Sequence, residues 1–384
     1  MTGADTMDQA LHETLTGWRR HLHAHPELSL EEVETARFVR AKLDELGIPY
    51  EAGIGGHGVV ATLRRGGSNR SVGLRADMDA LAITEITGLP YASTNPGVMH
   101  ACGHDGHTVS LLGAAALLAR DPGWSGTVHF VFQPAEEGSG GALAMLKDGL
   151  FERFPMERIF GYHNWPGLPA GTVAVHDGPV MAAGARIEFV IRGRSGHAAL
   201  PHETRDPMIA AAHMLLAVQS IVSRETSPLD SAVVSIATIE AGMAANQIPE
   251  TVTMRGTTRS LREEVRDATE AALARIADGL GRTFGVAIDF NVRRGVTVTA
   301  NTAEDAALAA AAAAEAGLPV RRDLPPAMTG EDFGWYLQQR PGAFVWIGAG
   351  DGPGLHNAGY DYNDAILPAA SSYLAATARR ALGG

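Results

Sequence analysis

The 384-residue chain has one cysteine, Cys102, so no disulfide can form within it and a cystine-stapled secreted scaffold is excluded. Positive charge is short: 31 Lys and Arg stand against 43 Asp and Glu, a net charge of −12. Such a surface repels nucleic-acid phosphates and anionic lipid, so neither is expected as a partner. No apolar run approaches ~18 residues, so no membrane span is expected. The start, MTGADTMDQALHETL, lacks the basic and apolar regions of a secretory signal, and the cytoplasm is the expected location. Internal repeats are absent. Aromatic residues make up only 6%, whereas there are 45 glycines and 15 histidines. With 45% apolar and 19% charged residues, the chain can build a packed core, and its length predicts two domains or one large one.

Hydrophobic spacing predicts a helix over 7–23 and a second over 29–47. In the second, Val33, Ala36, Val39, Leu43 and Leu46 share a face, Ser29 and Glu32 form a capping box, and Gly47 is the stop. Strands are predicted at 58–64, 71–77, 127–133 and 158–164, with helices at 106–120 and 141–149. Strand–helix alternation of this kind argues for a largely parallel sheet covered on both faces. From about 183 the order becomes strand 185–192, helix 206–223, strands 231–240 and 251–258, helix 262–281 and strand 284–293. That β-α-β-β-α-β order predicts a ferredoxin-like unit. Helices at 302–316, 331–338 and 368–382 and a strand at 343–348 return to the first pattern. The expected architecture is therefore α/β. A discontinuous domain, 1–182 and 297–384, carries the mainly parallel sheet, and an α+β domain, 183–296, is inserted in it.

The histidines cluster. Met99-His100-Ala101-Cys102-Gly103-His104-Asp105-Gly106-His107 places three imidazoles beside the only thiol, and thiolate and imidazole are preferred ligands of Zn-like divalent ions. Glu136 and Glu137 follow the strand ending at Gln133. Adjacent carboxylates at a strand end point in different directions because successive side chains alternate, so one carboxylate can bind a metal while the other acts as general base. His163 ends a strand, and His356 lies in a Gly-rich loop. Cys102, His104, Glu137, His163 and His356, all at loop or strand-end positions, suit a pair of divalent ions with open positions for water.

These motifs resemble those of the peptidase M20 amidohydrolases. Within them the chain is similar to the branch of hippurate hydrolases, N-acyl-L-amino acid amidohydrolases and IAA-amino acid (auxin-conjugate) hydrolases. The matching stretches are HxHPELSxEE (His23 to Glu32), RADMDAL, MHACGHDGH, FQPAEEG, YHNWPG, GHAALPH, GTTRSL, TGEDF and LHNAGYDYND, in order across nearly the whole chain. The resemblance implies a zinc-peptidase-like catalytic domain and an inserted lid that makes a homodimer or higher homo-oligomer. It puts two divalent ions (Mn, Zn, Ni or Co) on Cys102, His104, Glu137, His163 and His356. Glu136 becomes the general base, and Asp79 orients a metal-site group. Asp77, at a position where other branches carry a metal-binding His, stays outside the ligand set. In the lid, the resemblance gives His197 the tetrahedral oxyanion and Asn246 and Arg259 the substrate, with Arg259 clamping its carboxylate. Ala82, Gln247 and Ala358 depart from the usual pattern without removing a ligand.

The implied reaction hydrolyses the amide of an N-acyl amino acid to a carboxylic acid and a free amino acid. An M20-type dipeptidase or carboxypeptidase is the alternative. Two other readings of the residues are a hydrolase with Cys102 as nucleophile and His104 as base, and a non-catalytic metal-binding protein. Chelation separates the first from a metalloenzyme.

Overall fold

Helix α1 (Gln9–Ala24) forms because Leu11, Leu15 and Leu22 recur on one face and bury there. A computed structural model of the chain describes residues 9–383, so the first two residues of the helix expected from 7 lie outside the described residues. Helix α2 (Val33–Leu46) buries Ala36, Val39 and Leu43 and stops at Gly47, whose φ of 67° lets its N–H reach back to Leu43 and Asp44. The expected capping box is not made. Ser29 donates to Asp79 Oδ2 (2.6 Å). The buried Glu32 accepts the N–H groups of Leu30 (3.0 Å) and Ala135 (2.8 Å). Glu27 takes over the cap by accepting from Glu34 N (3.1 Å) and Thr35 N (2.8 Å). Distant partners thus outcompete the local ones.

One unit comprises the described residues up to Val180, with Thr299–Pro325 and Asp332 onward. Its eight-stranded sheet runs β1 (Tyr50–Ile54), β2 (Gly58–Arg65), β4 (Gly126–Gln133), β3 (Ser71–Asp77), β5 (Arg158–Pro166), then Gly342–Gly350, Val173–Ala174 and Val320–Arg321. The central pairings, β4 with β3, β3 with β5 and β5 with Gly342–Gly350, are parallel. β1–β2 and β2–β4 are antiparallel. Helix α3 (His104–Arg120) is buried over nearly all its length and packs on α1 and the C-terminal helix Leu367–Ala381. Gly113 permits this approach: a Cβ there would lie 2.3 Å from Ser371 Oγ and 2.7 Å from Leu15 Cδ1. The carboxyl ends of β3, β4 and β5 open on one edge, where parallel α/β sheets place their sites.

The other unit, Met181–Val298 with Pro326–Glu331, is an antiparallel sheet in the order Ala232–Ala241, Thr251–Ser260, Ala183–Arg192, Ala287–Arg294. Helices Pro207–Ala217 and Glu263–Phe284 complete the ferredoxin-like order. Its core joins Ile187, Phe189 and Ile191 of the strand to Ala210, Met214 and Leu273 of the helices. The helix expected over 206–223 ends at Ala217, followed by a π-helical turn, Ile221–Glu225. The helix expected over 331–338 shrinks to Gly334–Leu337. Contrary to the expectation of no long apolar run, the 19-residue stretch Pro207–Glu225 has a mean hydropathy of 1.2 over an 18-residue window, enough by length and composition alone to cross a membrane, a test that core helices also pass. Here its apolar positions Ala210, Ala211, Met214, Val218 and Ile221 are buried in the unit's core.

Candidate metal centre

Cys102, His104, Glu137, His163 and His356 come together in the sheet-bearing unit. The donor atoms of Cys102, His104 and His163 lie within 4.8 Å of one another, as do those of Cys102, Glu137 and His356. Four separate segments supply them. Cys102 precedes α3, and Gly103, at φ 87°, turns the chain so that His104 is the first residue of the helix, not a loop residue as expected. His163 lies within β5, three residues before its end at Pro166. His356 has φ 61°, uncommon for a side-chain-bearing residue, and its N–H is held by the carbonyl of Ala101 (2.8 Å).

The two glutamates differ from expectation in their backbone. β4 ends at Gln133, and Glu136 and Glu137 stand in a turn after Ala135, at φ 56°. Strand alternation therefore does not separate their roles. Both approach His104, with donor atoms of the three within 4.8 Å. The strain at Ala135 is fixed by Glu32 on its N–H and by Gly141 N on its carbonyl (2.9 Å).

A layer of hydrogen bonds sets each donor. His104 Nδ1–H donates to the carbonyl of Asp79 (2.9 Å), with Asp79 Oδ1 at 3.2 Å. Its Nε2, buried, has no hydrogen-bond partner among the described residues and lies 3.8 Å from Asp77 Oδ2 and 4.0 Å from Glu137 Oε1. Asp79 Oδ2 accepts from Ser29 and from Glu137 N (3.0 Å). His163 Nδ1–H donates to the carbonyl of Asn164 (2.7 Å), which leaves Nε2 facing the Cys102 sulfur at 3.3 Å. An imidazole whose Nδ1 proton is held this way presents Nε2 as a ligand lone pair. Asp77 and His107, by contrast, are already engaged. His107 Nδ1–H donates to Asp77 Oδ1 (2.7 Å), and His107 Nε2 accepts from Asn164 N (3.0 Å) and faces Asn164 Nδ2 (2.9 Å). Asp77 Oδ2 accepts from Arg75 (2.6 Å). That supports leaving Asp77 outside the ligand set.

The electrostatics call for positive charge. Burial pushes the Cys102 thiol up, and the nearby Glu137 charge adds to the rise. Burial alone would lower His104, but Asp77 and the Cys102 sulfur hold it well above its usual value. His356 is pushed up to about 10 by hydrogen bonding to Cys102 and Glu137. A buried thiol with a raised pKa is a poor nucleophile but a good cation ligand once a cation lowers it. The orphaned His104 Nε2, the buried thiol and the carboxylate make a donor set that fits divalent ions.

Glu136 is buried, and its Oε1 accepts the N–H of Asp332 (3.3 Å). His197, Asn246 and Arg259 belong to the other unit. There the strand Gly196–His197 pairs with Gln247–Ile248, and Ala198 N donates to the carbonyl of Asn246 (3.0 Å). His197 is exposed. Arg259 is half-buried and bonds Thr257 Oγ1 and the carbonyl of Thr258. Among the described residues it has no carboxylate partner, so it makes no surface ion pair, and burial beside Arg186 lowers its pKa. The sequence assigned no individual role in the site to Arg75, His107, Gln133, Asn164 or Asp332, and it placed Ser29 only in a cap. Their signal was being polar inside the quoted motifs, with Arg75, Gln133 and Asn164 toward the ends of otherwise apolar strands.

The model of peptidase family M20/M25/M40 matches residues 73–380. The chain is 40% identical over 366 residues to hippurate hydrolase of Campylobacter jejuni, covering 95% of each. It is 40% identical over 375 residues to N-acetylcysteine deacetylase of Bacillus subtilis, covering 96% of this chain and 97% of that one. Among solved structures, the YXEP protein of Bacillus subtilis, described as a dinuclear metal binding peptidase of the M20 family, superposes with a TM-score of 0.88 at 37% identity, covering 98% and 99%.

Proposed function

Because this chain belongs to peptidase family M20/M25/M40, we propose that it is a metal-dependent amidohydrolase cleaving N-acyl amino acids to a carboxylic acid and a free amino acid. The observation that carries the reading is the convergence of five donors from four segments into two groups that share the Cys102 sulfur, with His104 Nε2 unbonded among the described residues. Cys102, His104, Glu137, His163 and His356 would hold two divalent ions of the Mn, Zn, Ni or Co kind. Such ions polarise an amide carbonyl and acidify water near neutral pH. Glu136, buried and beside that cluster, takes the proton of the attacking water and passes it to the leaving amine. Asp79 orients His104 through Nδ1. His197 would donate to the developing oxyanion, Asn246 would contact the substrate, and Arg259 would take its free carboxylate, for which its lack of a carboxylate partner leaves it available. The names of the relatives, a hippurate hydrolase and an N-acetylcysteine deacetylase, support this substrate class.

The reading extends to a homodimer or higher homo-oligomer through the second unit, whose helix Pro207–Ala217 exposes Met208, Ile209 and Leu216. It also extends to the cytoplasm, where a ligand thiol stays reduced.

The test is a panel of N-acyl amino acids and dipeptides after chelation and after adding back each metal. Chelation should abolish turnover and metal should restore it. Glu136→Gln should keep two ions per chain and lose roughly 10²–10⁴ in kcat. Full activity in chelator, or normal turnover by Glu136→Gln, would end the proposal. Preference for dipeptides would move it to the dipeptidase branch.

A further inference from the structure

The TGEDF stretch has a chemical role that the metal centre does not absorb. Arg75 and Asp77 are two apart on β3, and Gln133 pairs in register with Asp77 on β4, so the three side chains share one sheet face. The buried guanidinium of Arg75 reaches three of its neighbours. It donates to Asp77 Oδ2 (2.6 Å), to Gln133 Oε1 (2.8 Å) and to Asp332 Oδ1 (2.9 Å). Because Arg can only donate, its bond to Gln133 Oε1 fixes that amide with its NH₂ turned to Asp332. Gln133 Nε2 lies 2.8 and 2.9 Å from the two Asp332 oxygens, and Ala142 N donates to Oδ2 (2.9 Å). The Asp332 carboxylate is thus held by three donor groups in a fully enclosed site. The main-chain N–H of the same residue points at Glu136 Oε1 (3.3 Å).

We propose that Asp332 is a positioning residue for the proton carrier: the Arg75–Gln133–Asp332 clamp holds the Asp332 N–H against Glu136 and fixes the direction of its carboxylate. The inference rests on the reading of Glu136 as general base. A carboxylate in a turn has rotational freedom, and proton transfer needs it within hydrogen-bond reach of both the water and the leaving nitrogen. One N–H anchored through its own side chain restricts that rotation at one oxygen.

Asp332→Asn is nearly isosteric but must turn an NH₂ toward Ala142 N–H, Gln133 NH₂ or Arg75, donor against donor. It should lower kcat by about tenfold or more, with KM within about twofold, and keep two ions per chain. In the Glu136→Gln background it should change the residual rate by less than about twofold, because the two act as one unit. A second measurement needs no substrate. In zinc-loaded protein labelled with ¹⁵N-aspartate, the Asp332 amide, identified by its loss in Asp332→Asn, should move upfield in Glu136→Gln as its acceptor loses charge. If Asp332→Asn does not fold, Gln133→Met, which removes the amide's donors without changing charge, carries the same kinetic expectations. Unchanged kcat, loss of metal, losses that multiply in the double variant, or an unmoved amide would each overturn the positioning role while leaving the amidohydrolase reading intact. A wild-type enzyme inert on every N-acyl amino acid would overturn both.

Discussion

Gly103→Ala tests the centre through its backbone. Gly103 sits between two donors, Cys102 and His104, at φ 87° and ψ 17°. Holding an alanine in that left-handed region costs about 1–2 kcal/mol. Its Cβ would also lie 2.4 Å from Asn164 Nδ2 and 2.9 Å from the Tyr360 hydroxyl. Neither neighbour can yield cheaply. Asn164 Nδ2 donates to the Cys102 carbonyl (2.7 Å), and Asn164 Oδ1 accepts from Tyr360. Overpacking of this kind adds about 1–3 kcal/mol, for a total of roughly 2–5 kcal/mol. The strain is relieved either by unfolding or by a shift of the loop that parts Cys102 from His104. The loss in stability of the metal-free protein and the loss in metal-binding free energy should therefore sum to that range. Borne wholly by binding, it corresponds to a fall in affinity of between about 30-fold and several thousand-fold. Urea unfolding of metal-free protein and competition with a fluorescent chelator give the two quantities. Gly279→Ala is the control: it lies within the helix Glu263–Phe284 with nothing within 4 Å of an added Cβ, and it should stabilise by about 0.5–1 kcal/mol. Wild-type stability together with wild-type metal affinity in Gly103→Ala would refute the reasoning.

Arg259→Gln should raise KM for free-acid substrates by about tenfold or more, leave metal content unchanged, and erase the preference for a free carboxylate over its methyl ester; an unchanged preference removes Arg259 from substrate recognition. His129 gives a pH test away from the centre. Burial lowers its pKa to about 4, with Nε2–H donating to the Pro155 carbonyl (3.2 Å) and Nδ1 accepting from Thr62 (3.0 Å). Its folded pKa lies below the unfolded value, so the unfolded chain takes up the proton first as pH falls. The stability is complete above about pH 6.5 and is lost as pH drops toward 4, by roughly 2 kcal/mol between pH 7 and 5. Urea midpoints of wild type and His129→Gln across that range should diverge accordingly, and parallel curves would exclude the burial argument.

What was legible in the sequence follows from interaction range. β3 and β4 were readable because their apolar runs end in polar residues, Asp77 and Gln133, and the β-α-β-β-α-β order because each element carries its own period. The donors were readable because Cys102 and the histidines are rare types in dense motifs. Capping at Ser29 was misread because its hydroxyl is taken by Asp79, 50 residues away, and no local pattern reports that competition. The same holds for Arg75 and Asp332, 257 positions apart. The expected alternation of Glu136 and Glu137 fails because Ala135 enters the left-handed region and turns the chain after the strand, which alanine does not advertise. Two-residue strands such as Val173–Ala174 and Val320–Arg321 are too short to carry a period at all.

Charge balance ties the metal centre to the clamp behind it. Cys102, Glu136, Glu137, Asp77, Asp79 and Asp332 are six acids gathered at one edge of the sheet, and Arg75 is the permanent cation bonded among them. Buried like charges at such distances are strongly unfavourable. Burial and then Glu137 raise Cys102, Asp77 and the Cys102 sulfur raise His104, and hydrogen bonds to Cys102 and Glu137 raise His356, so each of the three holds a proton beside a negative neighbour. Two divalent ions would supply four charges and bring the group close to neutrality, releasing the protons from ligand atoms as they bind. The same arrangement explains why Arg75 sits between Asp77 and Asp332 and not among the donors. A cation at that position neutralises the supporting carboxylates without occupying a ligand. Replacing Arg75 with Met would leave Asp77 and Asp332 buried without their cation, and both the donors and the proton carrier should fail together.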